Sequence, residues 1–369
     1  MRPTHSVMLG SLMLLAAGAA SAQSNVAVYG SVDAGISSFN DERGARSTKL
    51  DSGNRSPDRI GFRGTEDLGN GMRAVFQLEN GFNVDDGNAK RSNALFSRYA
   101  FVGLAGKAGM ISFGHMPDFM YENLRWSSNG IMGSSYFFHP GNLDNQANQF
   151  QVDNAVKYES PLWHGFTFGA MNGFGEQADS FNRGRSYSFG ARYMEGPARF
   201  GAAYTVSNNR SLNLGATLGI GRLLGQALSA DPAAANATYT NFNADKVTNA
   251  GVSGAYKLGR FTPHAMYTQT RLETARGAAT MRNTELGTDI LFGITQTLGV
   301  SASTSELEGR RWNQLNLIHM IALSRRTTLY GAAAWQRARG DDVHAVIGGA
   351  APASGQAQRV LRIGVHHLF

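Results

Sequence analysis

Cysteine is absent from the 369 residues of this chain. Without a disulfide framework, its order must come from packing and backbone hydrogen bonding. Long hydrophobic runs are absent too: after the N-terminal segment, no stretch of 18 apolar residues occurs, and mean hydropathy is −0.26. That excludes an α-helical membrane protein. Basic residues are in excess, with a formal charge of +7, yet they are spread along the chain rather than gathered in runs, which argues against nucleic-acid binding. The histidines, among them His139, His164, His319, His344, His366 and His367, occur in no Gly-x-Ser-x-Gly or His-Glu-x-x-His context, and the glycines form no phosphate-cradling loop. Nothing points to an enzyme, a cofactor or a metal.

The first residues carry an address. Arg2 and His5 precede the apolar run Val7 to Ala20, and Ala20-Ser21-Ala22 has the small-residue pattern of a cleavage site. Residues 1–22 therefore read as a secretory signal peptide, with a mature chain, residues 23–369, beginning at Gln23. Removing one arginine and no acid leaves a formal charge of +6 from the +7 of the whole chain.

What the chain has in quantity is period-two alternation. In Val26 to Ile36 the even positions are apolar or glycine, and the odd set includes Tyr29, Ser31 and Asp33. Side chains alternate across a strand, so one face is greasy and the other wet. The same parity places Arg59 and Arg63 on a wet face, then Arg73, Gln77 and Glu79, then Arg98, then Lys157. Alternation fits equally a soluble sandwich and a transmembrane barrel. Connection lengths favour the barrel. Sixteen candidate strands run from 26–39 to 357–369. Tight turns such as Asp67 to Asn70, Gly106 to Ala108, Glu195 to Pro197 and Arg325-Arg326 contrast with long segments at 40–54, 116–152, 208–246 and 340–356.

A barrel in hydrocarbon must close, because an open edge leaves backbone groups unpaired. The last segment, Val360 to Phe369, alternates to its end, with Leu361, Ile363, Val365, His367 and Phe369 as the outward set. The expected fold is all-β, an antiparallel transmembrane barrel of sixteen strands. The leucine-rich stretch within 208–246 is spaced more like a helix than a strand and reads as a long external loop with a helical turn. The alternative is an extra hairpin and eighteen strands.

Thr65 to Gly71, followed by Ala74 to Phe82, resembles the second turn and third strand of Gram-negative general porins of the beta-proteobacterial type, which include the neisserial and Bordetella–Burkholderia porins. Val28-Tyr29-Gly30 with Asp33-Ala34-Gly35 resembles that family's first strand, and Asn154 to Pro161 its sixth. Leu323 to Thr327, then Leu329-Tyr330, is similar to its strand 14–15 turn, and Gly364 to Phe369, with Gly364, His367 and Phe369, to its terminal assembly signal. Departures are Asn70, His367 and the long 208–246 loop. The resemblance implies a passive channel for small hydrophilic solutes and ions in the outer membrane of a Gram-negative cell. It also implies a homotrimer among lipid and lipopolysaccharide, and a constriction loop, here 116–152, folded into the lumen. Loop acids Asp118, Glu122 and Asp144 would then face Arg59, Arg63, Arg73, Arg98 and Lys157, with Tyr29, Asp33 and Glu79 on the lumen wall. The charge balance predicts mild anion preference. A substrate-preferring channel for an organic anion or sugar, or a plugged surface-binding barrel, are the other readings.

Overall fold

The computed structural model describes residues 25–369; the expected signal peptide lies outside them. The strands are β1 (Asn25–Glu42), β2 (Ala45–Ser52), β3 (Arg59–Gly69), β4 (Met72–Gly81), β5 (Tyr99–Gly106), β6 (Gly109–Pro117), β7 (Gln151–Glu159), β8 (Phe166–Gly173), β9 (Ser186–Glu195) and β10 (Ala198–Leu212). There follow the two-residue strands β11 (Arg222–Leu223) and β12 (Gln226–Ala227), then β13 (Phe242–Tyr256), β14 (Phe261–Thr274), β15 (Gly277–Phe292), β16 (Gln296–Leu307), β17 (Arg310–Ala322), β18 (Thr327–Arg339) and β19 (Ala357–Leu368). All except β11 and β12 belong to one antiparallel sheet.

That sheet has sixteen staves. One edge of β1 pairs along its outer half with β2, from Ala34↔Ser52 to Glu42↔Ala45, and along its inner half with β3, from Asn25↔Thr65 to Ser31↔Arg59. β2 and β3 are therefore the two halves of a single stave, broken at 53–58. The expected loop at 40–54 is instead an extension of the first hairpin that turns at Arg43-Gly44. The other edge of β1 closes the barrel on β19, from Ser31↔Leu368 to Phe39↔Val360. Gly30 and Phe369 exchange backbone hydrogen bonds of 3.1 and 3.2 Å beyond that ladder, so the terminal residue is itself part of the seam.

Alternation does what period two demands. Val28, Ile36, Val252, Leu286, Leu315, Leu361 and Ile363 are exposed on the outer, lipid-side surface. Ser31, Ser188, Thr268, Asn283, Gln314 and Gln336 point inward and are buried. At the β3–β4 turn, Gly69, Asn70 and Gly71 all have positive φ, of 82°, 53° and 76°. Asparagine is among the few non-glycine residues that enter this region readily, so Asn70 is no obstacle to the tight turn.

Between β10 and β13 the chain forms one short helix, α3 (Leu214–Leu218), and the β11–β12 ladder, with no additional stave. Its Leu214, Leu218, Ile220, Leu223 and Leu228 pack with Leu272, Met281 and Trp312 of the wall and with Val343 and Ala345 of the β18–β19 connection. The helical leucine spacing thus marks a connection folded inward over the mouth. The β18–β19 connection it packs against is tied down by Gln336 and Gln358, whose side-chain oxygens accept from Val346 N at 2.6 Å and Ile347 N at 2.7 Å.

Candidate functional site

Residues 118–150, between β6 and β7, enter the barrel. They contain α1 (Phe119–Leu124) and α2 (Asn129–Met132). Asp118 caps α1, its carboxylate accepting from Tyr121 N at 3.1 Å and from Asn145 Nδ2 at 3.1 Å. Phe119, Met120 and Leu124 pack against Met171, Ala203 and Met266 of the wall. Further bonds join the loop to that same side: Phe119 N donates to Ser188 Oγ at 3.1 Å, Ser253 Oγ to Leu124 O at 3.2 Å, and Asn129 N to Glu285 Oε1 at 3.1 Å. At its tip, Tyr136 Oη donates to Asp51 Oδ2 at 2.6 Å, which fastens the loop to the β1–β2 wall.

The expected opposition between loop acids and wall arginines is corrected by this docking. Asp118, Glu122 and Asp144 do not face the arginines, because all three are used to fix the loop. Asp144 is fully buried with His139, whose Nδ1 is 2.7 Å from Asp144 Oδ2 and whose Nε2 is 3.2 Å from Glu285 Oε2. Thr268 Oγ1 also donates to Asp144, at 2.6 Å. Burial opposes the His139 charge, yet the two carboxylates raise its pKa to about 10. Burial pushes Asp118 up to about 6. Glu122 pairs with Lys157, which also lies 3.9 Å from Glu159. Lys157 is thereby neutralised and buried, and it does not line the passage.

What remains open is a passage of about 960 Å³ between the loop and the wall of β1–β5. Of the expected residues, Tyr29, Arg59, Arg63, Glu79 and Arg98 line it. Glu79 is the hub: Arg98 Nε approaches its Oε1 at 2.6 Å, Arg59 Nε its Oε2 at 3.7 Å, and Tyr29 Oη donates to it at 2.8 Å. The Arg63 guanidinium lies 5.2 Å from the Tyr29 ring centroid. Arg73 has the same inward parity but pairs opposite Asp67 in the ladder and is no part of the passage lining. It stands six residues below Glu79 on β4, roughly 20 Å at strand rise, so it belongs to the inner mouth. Asp33 keeps the expected inward side of β1 but does not line the passage, because it is fully buried against Arg362 at 3.0 Å.

Sequence reasoning overlooked further basic residues of the lining, Lys49, Lys90 and Arg91 among them, and two arginines stand out. Arg125, on the constriction loop, donates to Tyr121 Oη at 3.2 Å and stacks 4.5 Å from the Trp126 ring. Arg55, in the break between β2 and β3, donates to Ile131 O at 3.1 Å. The signal for Arg125 was present in Tyr121-Glu122-Asn123-Leu124-Arg125-Trp126, a basic residue among aromatics in the segment expected to fold inward. Arg55, Arg59, Arg63, Arg98 and Arg125 therefore face the same space, together with Lys49, Lys90 and Arg91, against the carboxylates Glu79, Asp51 and Asp58, and the local balance is positive.

Of the expected assembly residues, Gly364 lies under the Tyr330 ring, where a Cβ would come within 2.6 Å of the hydroxyl. His367 is exposed on the outside, its Nδ1 2.9 Å from Thr327 Oγ1. Phe369 covers Gly30 across the seam.

The chain matches the Gram-negative porin family model over residues 9–341. It is 32% identical to an outer membrane porin protein of Bordetella pertussis over 239 residues, 56% of this chain and 61% of that one. With outer membrane porin protein 32 of Delftia acidovorans, identity is 28% over 377 residues and 97% of each chain. Among solved structures, an anion-selective porin from Comamonas acidovorans superimposes with a TM-score of 0.77 at 21% identity, covering 94% of this chain and 100% of that one. The trimer form of OmpT of Vibrio cholerae gives 0.64 at 16% identity, with 94% and 99% covered. The family match extends from before the first stave into the last external connection, on a barrel closed by the sixteen staves described above, and this chain belongs to the Gram-negative porin family.

Proposed function

We propose that this outer-membrane porin is a passive diffusion channel for small hydrophilic solutes and ions that prefers anions. The observation that carries the preference is the cluster of Arg55, Arg59, Arg63, Arg98 and Arg125 around one passage, while the loop acids are spent on docking. Fixed positive charge along a narrow aqueous passage with low-dielectric walls concentrates anions. The Comamonas porin's description as anion-selective supports the same reading. The test is the reversal potential of single channels in a potassium chloride gradient. An anion-selective sign that weakens as ionic strength rises is expected, since the Debye length falls to about 3 Å at 1 M salt. A cation-selective sign refutes it.

We propose further that the working unit is a homotrimer embedded among outer-membrane lipid and lipopolysaccharide. The β4–β5 connection, where the family resemblance puts a latch onto a neighbouring subunit, supports this: it is a compact knot, with Gly87 N donating to Asn83 O at 2.9 Å and Val84 N to Asp58 Oδ2 at 3.2 Å. Closed symmetric oligomers are the common case. A monomeric mass in mild detergent by light scattering refutes the trimer.

A further inference from the structure

The outer face of β14–β19 ends, at the long-loop rim, in arginines that the channel does not use. Parity sets their direction. Arg337 and Arg339 follow the outward Trp335 on β18; Arg359 precedes the outward Leu361 on β19; Arg311 lies four residues before the outward Leu315 on β17. Their inward neighbours Trp312, Gln336, Ala338 and Gln358 are buried, so these guanidinium groups stand on the lipid side. At about 3.4 Å per residue they sit roughly 7–14 Å beyond the outward apolar residues, the height of headgroups rather than acyl chains.

Register makes the arrangement costly on its own. Arg311 pairs directly opposite Arg339, Arg337 lies two residues further along the same face, and Trp335↔Arg359 brings Arg359 beside them. Like charges directly opposite across strands repel. Glu306 pairs with Arg311, but among the described residues Arg337, Arg339 and Arg359 make no ion pair. Four arginines thus converge on one outward patch with one carboxylate.

We propose that this patch is a binding site for the phosphate groups of an outer-leaflet lipid headgroup. Guanidinium forks match phosphate oxygens bidentately, and a bound phosphate converts the cross-strand repulsion into shared attraction. The occupant is a lipid rather than a free anion because the side chains lie directly above the apolar belt that holds acyl chains. The site rests on outer-membrane placement and is independent of selectivity in the lumen.

The experiment uses the purified full barrel in detergent and follows its thermal unfolding midpoint with three probes: diphosphorylated lipid A, the same lipid enzymatically dephosphorylated, and inorganic phosphate. Diphosphorylated lipid A is expected to raise the wild-type midpoint, and the other two to leave it nearly unchanged. The R337Q/R339Q/R359Q variant should bind lipid A at least about tenfold more weakly, with single-channel conductance and reversal potential as in wild type. Equal stabilisation by dephosphorylated lipid overturns the proposal. So does full stabilisation by inorganic phosphate, or an unchanged lipid response in the triple variant. The wild-type comparison of probes stands even if the variant folds poorly.

Discussion

Arg362 of the closing strand and Asp33 of the first strand meet at 3.0 Å, with neither side chain exposed. The same guanidinium also engages Asp51 and donates to Tyr330 Oη at 2.7 Å and to Ser37 Oγ at 2.8 Å. The first and last staves are therefore joined by a buried charged network in addition to their backbone ladder. Asp51 in turn accepts from Tyr136 at the tip of the constriction loop, so closure of the barrel and placement of the loop share one anchor.

Removing that anchor leaves the buried Asp33 carboxylate, and the partly exposed Asp51 carboxylate beside it, uncompensated. R362M is expected to destabilise the barrel by about 3–5 kcal/mol. The check is the temperature at which the folded band is lost in a heat-modifiability gel, which should fall clearly below wild type. An unchanged transition would mean that the backbone ladder alone holds the seam.

Selectivity should follow position in the lumen, not parity. R59Q/R98Q and R125Q are expected to move the reversal potential toward cations, because each removes charge from the passage lining. R73Q should leave it close to wild type, since Arg73 lies at the inner mouth beside Asp67. Equal effects from R73Q and R125Q would place the selective section elsewhere.

Loop docking should depend on pH. The His139 pKa rises from 6.5 to about 10 on folding, so its contribution is complete below pH 6.5 and is lost as pH climbs toward 10. The Asp144 pKa is lowered from 3.8: burial opposes this, but His139 outweighs it, so Asp144 contributes above that value and fails as pH falls below it. Trp126 fluorescence and channel noise should therefore report a looser loop near pH 10, and H139Q should show that looseness at neutral pH. A wild-type loop unchanged from pH 6 to 10.5 contradicts this account.

Phe369 should matter for assembly more than for conduction. Its backbone exchanges two hydrogen bonds with Gly30 at the end of the seam, and its ring covers that glycine. Deleting Phe369 is expected to lower the amount of folded barrel in the outer membrane several-fold, while the channels that form keep wild-type conductance. Normal surface abundance of the truncated chain argues against it.

Much of the wall was legible in the residues themselves. The outward set Leu361, Ile363, Val365 and His367 is where parity put it, and Tyr29, Arg59, Arg63, Glu79 and Arg98 line the passage that parity pointed them into. The same rule made Arg362 inward, one position from outward Leu361, but its role depended on partners from β1 and β2 that a single strand cannot announce. The connections were harder. Residues 40–54 read as a loop because Asp41 to Arg46 is polar, yet they extend the first hairpin; the leucines of 212–228 read as helical because they pack inward on Trp312 and Val343.

By itself the sequence determined the fold class, the side each strand residue faces and the need to close, because these follow from a period of two and from the cost of unpaired backbone in hydrocarbon. Only the tertiary structure decided which charges act on the lumen. Parity gives direction but neither height nor company: Arg73 points inward roughly 20 Å too low, Lys157 is taken by Glu122, and Asp118 and Asp144 are buried among the groups that dock the loop. A charge governs a passage only when its field is not spent on a nearer partner, and in this barrel the nearer partners come from segments distant in the chain.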